Sequence, residues 1–115
     1  GRTVALQLRS PRGGSEVDLY VPIGALQAVN VAGQDLPVRG SDAWNGFYNL
    51  WCYGAGCDGL EVTLRFTDSA PQEVLVADWT MGLPPGGERF AEARPAWAIT
   101  AYEGDLTAII RRIRF

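Results

Sequence analysis

The sequence predicts an all-β protein, an antiparallel β-sandwich of jelly-roll type with about eight strands. Apolar and polar residues alternate along most of the chain, and a period of two separates the core face of a strand from its solvent face. Clusters of glycine, proline, aspartate and serine interrupt these runs, as turns do. No window long enough for a helix has the helical period. Many short strands joined by turns are typical of two packed antiparallel sheets.

The strands are expected where the alternation is clearest, and the turns where the glycine and proline clusters lie. In chain order, the predicted strands are residues 4–8, 17–21, 28–31, 47–53, 60–66, 74–79, 97–102 and 108–115. The predicted turns are residues 10–14, 32–35, 68–71 and 103–105. Residues 82–95, which are rich in proline and glycine, predict a long ordered loop between two strands.

The length of 115 residues suits one domain with its own hydrophobic core, so residues 1–115 are expected to form a single domain. The chain begins with Gly1 and a strand pattern starts at once. We therefore expect a fragment of a larger protein. Hydrophobic residues make up 47% and charged residues 20% of the chain, as in ordinary globular proteins.

The net charge of −3 argues against two classes of partner. Grooves for nucleic acid and surfaces for anionic membranes normally carry a basic excess, so no nucleic-acid partner is expected. No apolar run approaches the roughly 20 residues of a membrane-spanning helix, so no direct membrane insertion is expected. The arginines Arg111, Arg112 and Arg114 are interpreted as a solvated strand edge.

The absence of histidine narrows the possible chemistry. Histidine is the commonest general base and metal ligand, so we expect no catalytic residue, no metal site and no cofactor in this chain, which by itself is not an enzyme. Asp78 differs from the aspartates in predicted turns because it ends an apolar strand. A carboxylate there would be partly buried and would need partners, so we expect a structural role for Asp78.

Cys52 and Cys57 are separated by four residues, two of which are glycine. Such a segment can turn sharply enough for a disulfide, although two reduced cysteines are the alternative. Two cysteines without other soft ligands cannot build a closed zinc site. A disulfide would indicate the periplasm or another oxidising compartment.

An aromatic cluster around the fourth predicted strand is the sharpest local feature. The alternation puts Phe47, Asn49, Trp51 and Tyr53 on one face of the strand, and Tyr48 on the other. One face must belong to the core. Exposed tryptophan and tyrosine would instead favour a sugar-binding surface or a protein interface. The candidate interaction surface consists of Trp44, Tyr48, Trp51, Tyr53 and Trp79.

Two longer stretches carry a resemblance. The first is residues 4–21 with the turn Leu-Arg-Ser-Pro-Arg-Gly-Gly, and the second is residues 53–84, whose most distinctive piece is Asp-Trp-Thr-Met-Gly-Leu-Pro at residues 78–84. Together they resemble the C-terminal domain of membrane-anchored zinc aminopeptidases of metallopeptidase family 28. In that family a zinc exopeptidase domain precedes transmembrane helices and a β-sandwich outside the cytoplasm. No residue of this chain matches the zinc ligands or the catalytic carboxylate of the family.

The resemblance implies a non-catalytic accessory domain that packs on or gates the peptidase domain. The expected partners are the peptidase domain and the membrane helices of the same parent chain, and zinc would belong to the parent alone. The implied location is the bacterial periplasm, tethered to the inner membrane through the parent. A large exposed apolar patch would favour this docking role. The alternative is an extracytoplasmic carbohydrate-binding or protein-interaction module, which predicts two or three coplanar, solvent-facing rings among the candidate aromatics and Trp97.

Overall fold

The computed structural model describes residues 1–10, 16–81 and 106–115 of the chain. Eight β-strands lie within these ranges. They are β1 (Arg2–Gln7), β2 (Glu16–Pro22), β3 (Leu26–Val31), β4 (Gln34–Leu36), β5 (Phe47–Tyr53), β6 (Glu61–Phe66), β7 (Glu73–Met81) and β8 (Leu106–Arg114). Two short 3₁₀ turns, Gly40–Asp42 and Ala55–Cys57, flank β5.

The strands form two four-stranded sheets. The first sheet has the order β1-β6-β3-β4 and the second the order β5-β2-β7-β8, and all neighbouring strands are antiparallel. The pairs β3–β4, β2–β5 and β1–β6 are nested inside one another along the chain, as in a jelly roll. The predicted antiparallel β-sandwich is therefore confirmed.

The strand β4 was not predicted, since its residues fell in an expected turn. The turn is only two residues long because Ala32 and Gly33 have φ values of 51° and 87°, which closes a tight hairpin between β3 and β4. The Asn30 side chain supports it by accepting a hydrogen bond from the backbone N–H of Gly33 at 2.9 Å. The chain can thus resume pairing at once.

Some sequence predictions lie outside the described residues. These are the strand at 97–102 with Trp97, the loop at 82–95 and the turn at 103–105. The turn at 10–14 is described only at Ser10.

The core lies between the two sheets and takes its side chains from alternate positions of both. Its fully buried members include Val17, Leu19, Val21, Val29, Val62, Leu64, Phe66 and Val74. Burying a side chain of this size stabilises the fold by about 1.5–3 kcal/mol. The central strands β2 and β6 supply most of these residues because each lies between two neighbours in its sheet.

A disulfide between Cys52 and Cys57 closes the end of β5 against the following 3₁₀ turn. The two Cα atoms are 5.7 Å apart, within the normal range for a disulfide. Gly54, with φ of 90°, makes the bend between the two cysteines. Closing so short a loop stabilises the fold by about 2 kcal/mol in the chain-entropy description.

The substitution Phe66→Ala tests the position of the core. Phe66 is completely buried at the end of β6, so the substitution removes a large apolar side chain and leaves a cavity. We expect the free energy of unfolding to fall by about 3–5 kcal/mol, as measured by urea denaturation. The control is Arg65→Ala, since Arg65 is exposed on the same strand. A loss for Phe66→Ala no larger than that of the control would contradict this core.

Candidate functional site

The outer face of the second sheet carries carboxyl groups and aromatic rings side by side. We call this surface the acid–aromatic face. It consists of Glu16, Asp18 and Tyr20 of β2, Asn49, Trp51 and Tyr53 of β5, Trp79 of β7, and Trp44 from the turn before β5. The antiparallel register places Glu16 between Tyr53 and Trp79, and it places Asp18 beside Trp51.

Asp18 lies at the centre of this face and is only 3% exposed. Its Oδ2 accepts hydrogen bonds from Trp79 Nε1 at 3.0 Å and from Tyr20 Oη at 3.2 Å. Its Oδ1 is buried, and no N–H group of the described chain donates to it. A buried carboxylate is costly without such partners, so the ring N–H and the phenol hold it in place.

Glu16 responds directly to this buried carboxylate. The hydrogen bond to Asp18, followed by partial burial and by the negative charge of Asp18, raises the pKa of Glu16 from 4.5 to about 7. The proton on Glu16 is what lets two carboxyl groups remain in contact. Burial, and then the charge of Asp18, also raises the pKa of Tyr20. With a pKa of about 7, a large fraction of Glu16 therefore keeps its proton at neutral pH.

Three of the predicted aromatic residues are exposed to solvent. Trp44 is 63%, Trp51 58% and Tyr53 65% exposed. An open depression of about 470 Å³ lies beside Trp44 and Trp51, and Tyr20 and Asn49 complete its lining. Asn49 is half-buried in this depression, and its Oδ1 is buried without a hydrogen-bond partner in the described part of the chain.

The other two residues of the predicted surface, Tyr48 and Trp79, are not exposed in the same way. Tyr48 is not part of the exposed surface, because it is on the opposite face of β5 and is buried in the core with 8% exposure. The alternation of side chains along a strand requires this once Trp51 faces outward. Trp79 is half-buried, and its ring N–H is engaged with Asp18.

Asp78 lies on the inner face of β7, and it is 9% exposed. Its Oδ1 accepts a hydrogen bond of 2.8 Å from the hydroxyl of Ser10, which follows β1 in the other sheet. The backbone N–H of Ser10 donates to Asp58 Oδ1 at 3.0 Å. Asp78 therefore connects the two sheets at one end of the sandwich.

Sequence reasoning did not single out Glu16, Asp18 or Asn49. The signal was present, since acidic and aromatic residues alternate with valine and leucine along β2. A carboxylate that is almost fully buried, as Asp18 is, is unusual in proteins. Only the pairing of β2 between β5 and β7 reveals that Asp18 is covered.

The described residues contain no group of three or more side chains suited to hold a metal ion. No helix in the ranges that the structure describes is long and apolar enough to span a membrane. What the acid–aromatic face does offer is stacking surface next to hydrogen-bond acceptors, which is the chemistry of binding.

The chain matches no protein-family model, no curated protein and no solved structure.

Replacing Glu16 by glutamine tests the carboxyl pair. Because the folded pKa of about 7 exceeds the unfolded value of 4.5, the native state binds more protons between these values. The stabilisation is complete below pH 4.5, declines as the pH rises and is lost above pH 7. Urea unfolding at pH 5 and pH 8 should therefore show a smaller pH difference for Glu16→Gln than for the wild type. The matched control is Glu61→Gln on the exposed face of β6, and equal pH dependence in all three proteins would contradict the pairing.

Replacing Ser10 by alanine tests the structural role of Asp78. The substitution removes a hydroxyl donor to a buried carboxylate, and hydrogen bonds to charged groups contribute about 1.5–3 kcal/mol. We expect a loss of that size in the free energy of unfolding, measured by chemical denaturation. The exposed Ser69 provides the control Ser69→Ala. If both variants are equally stable, Asp78 does not depend on Ser10.

Proposed function

We propose that this chain is a non-catalytic accessory domain of a membrane-anchored zinc aminopeptidase of the metallopeptidase family 28 type. The hydrogen bond between Ser10 and Asp78 is the observation that carries the proposal. Ser10 belongs to one of the two stretches that resemble the family, and Asp78 begins the most distinctive piece of the other. The two stretches meet in space although they are 68 residues apart.

The hydrogen bond between Ser10 and Asp78 gives the two stretches that resemble the family a structural role. Ser10 is buried, and it connects the end of β1 to Asp58 and to β7. A buried serine and a buried carboxylate in contact fix the relative position of the two sheets. The motif then serves to hold the sandwich together, and the catalytic work belongs to a separate domain.

The strand β8 offers the surface for docking on the peptidase domain. It is the last strand of its sheet, and β7 is its one neighbour among the described strands. It exposes Ile109 and Ile113 on the face that looks toward the other sheet, and Ile110 on the outer face. Exposed isoleucines on an edge strand favour association.

An apolar groove adjoins these isoleucines. It has a volume of about 220 Å³ and lies between β1 and β8, the edge strands of the two sheets. Leu6 and Val76 line it together with Ile109 and Ile113. The occupant that we propose for this groove is the peptidase domain of the parent chain, because a neighbouring domain would cover the isoleucines permanently. Arg111 at the rim would give the contact its polar border.

The disulfide between Cys52 and Cys57 supports a location outside the cytoplasm. Disulfides persist in oxidising compartments such as the bacterial periplasm and are rare in the cytosol. We therefore propose that the domain lies on the periplasmic side of the inner membrane, where the sandwich of the family also lies.

The open reading frame that contains this chain provides the first test. We expect it to encode a zinc-ligand set of histidine and carboxylate residues, together with apolar runs of about 20 residues. The peptidase domain, produced separately, should form a complex with this chain in size-exclusion chromatography and calorimetry. Ile113→Arg should weaken that complex at least about tenfold, since it puts a charge into the apolar groove.

The matched control is Trp51→Ala, which removes an exposed ring from the outer face of the same sheet, at its other edge. It should leave the complex unchanged. A reading frame without a peptidase domain, or equal binding by the Ile113→Arg variant and the wild type, would overturn the proposal.

A further inference from the structure

The depression beside Trp51 has no role in the docking proposal. Its volume of about 470 Å³ falls within the range of about 300–1,000 Å³ that small-molecule sites occupy. Two of its residues, Tyr20 and Asn49, are directly paired across β2 and β5. Because regular strand pairing fixes the backbone beneath them, the depression is formed before any ligand arrives.

The rings around the depression leave apolar surface in water. Trp44 and Trp51 line it, and both are more than half exposed. Tyr53 continues the row two residues beyond Trp51, a spacing of about 7 Å along the strand. Covering such rings recovers about 25 cal/mol for each Å² of apolar surface. A row of rings along one strand fits a ligand with a series of flat apolar faces better than it fits a compact ligand.

A polar atom next to these rings needs a donor. Asn49 lines the depression, and its Oδ1 is buried and accepts no hydrogen bond within the described residues. An unsatisfied buried acceptor costs about 1–3 kcal/mol. A wholly apolar ligand would leave this oxygen unsatisfied, whereas a ligand with hydroxyl groups can donate to it.

The charges on this side of the sheet determine the charge of the ligand. Strands β2 and β5 contain Glu16 and Asp18 and no arginine. An acidic ligand would be repelled by these carboxyl groups. A neutral sugar chain stacks on rings, donates hydrogen bonds and carries no negative charge.

We infer that this depression binds a neutral oligosaccharide. The C–H faces of its pyranose rings stack on Trp51 and Trp44, and one of its hydroxyl groups donates to Asn49. Tyr53 extends the stacking surface to a further sugar unit. The inference is independent of the peptidase proposal, because the sugar site lies at the β5 side of the sheet and the docking surface lies at β8.

Titration of the isotope-labelled chain with three neutral hexasaccharides tests the inference by nuclear magnetic resonance. The probes are cellohexaose, N-acetylchitohexaose and maltohexaose, which separate plain, N-acetylated and differently linked glucose chains. We expect at least one of them to bind with Kd of about 1 mM or tighter. Trp51→Ala, Trp44→Ala and Asn49→Ala should each weaken binding about tenfold, and Trp51→Phe should retain most of it because a ring remains.

The matched control is Ile110→Ala, which removes an exposed apolar side chain from the same sheet face, three strands away from β5. It should bind as the wild type does, and thermal unfolding of every variant verifies that it is folded. Three outcomes overturn the inference: no binding of any hexasaccharide, binding that is the same in Trp51→Ala and Ile110→Ala, or binding of tetramethylammonium instead of sugar with the same dependence on Trp51. The last outcome would assign the rings to an organic cation.

Discussion

The position of β2 between β5 and β7 is the constraint on which the second sheet depends. The side chains that β5 and β7 place beside Asp18, the Trp79 ring among them, bury it although it points away from the core. That burial requires the donors that Trp79 and Tyr20 supply. It also retains a proton on Glu16 to higher pH than usual. The arrangement of the acid–aromatic face therefore depends on one carboxylate, that of Asp18 in the central strand β2.

The second sheet presents two different surfaces at its two edges. The β5 edge carries exposed rings next to hydrogen-bond acceptors, and the β8 edge carries exposed isoleucines next to arginines. Rings beside acceptors suit a polar ligand with flat apolar faces, whereas isoleucines suit a protein surface. Two strands separate these edges, so one sheet can hold a partner domain and a small ligand at once. In the proposed arrangement the β8 edge contacts the peptidase domain and the β5 edge binds the oligosaccharide.

The alternation of residues predicted the elements of this fold well, because a period of two depends on nothing beyond the pleat of the strand. It also divided β5 correctly into two faces, with Tyr48 opposite to Trp51. It failed at β4, where a turn of two residues with positive φ allows a strand of three residues to follow directly. The glycine and aspartate at this turn, Gly33 and Asp35, form a sequence pattern that is also typical of a longer loop. Hairpins this short depend on backbone angles that composition does not encode.

The sequence by itself determined the class of the fold, the feasibility of the disulfide and the lack of any histidine-based chemistry. These follow from local periodicity, from the spacing of two cysteines and from composition. Only the tertiary structure decided which face of β5 meets solvent, that Ser10 reaches Asp78, and that Glu16 and Asp18 lie beside aromatic rings of β5 and β7. Each of these contacts joins strands distant in sequence. Their physical basis is the pairing of β2 with β5 and β7, and the packing of one sheet on the other.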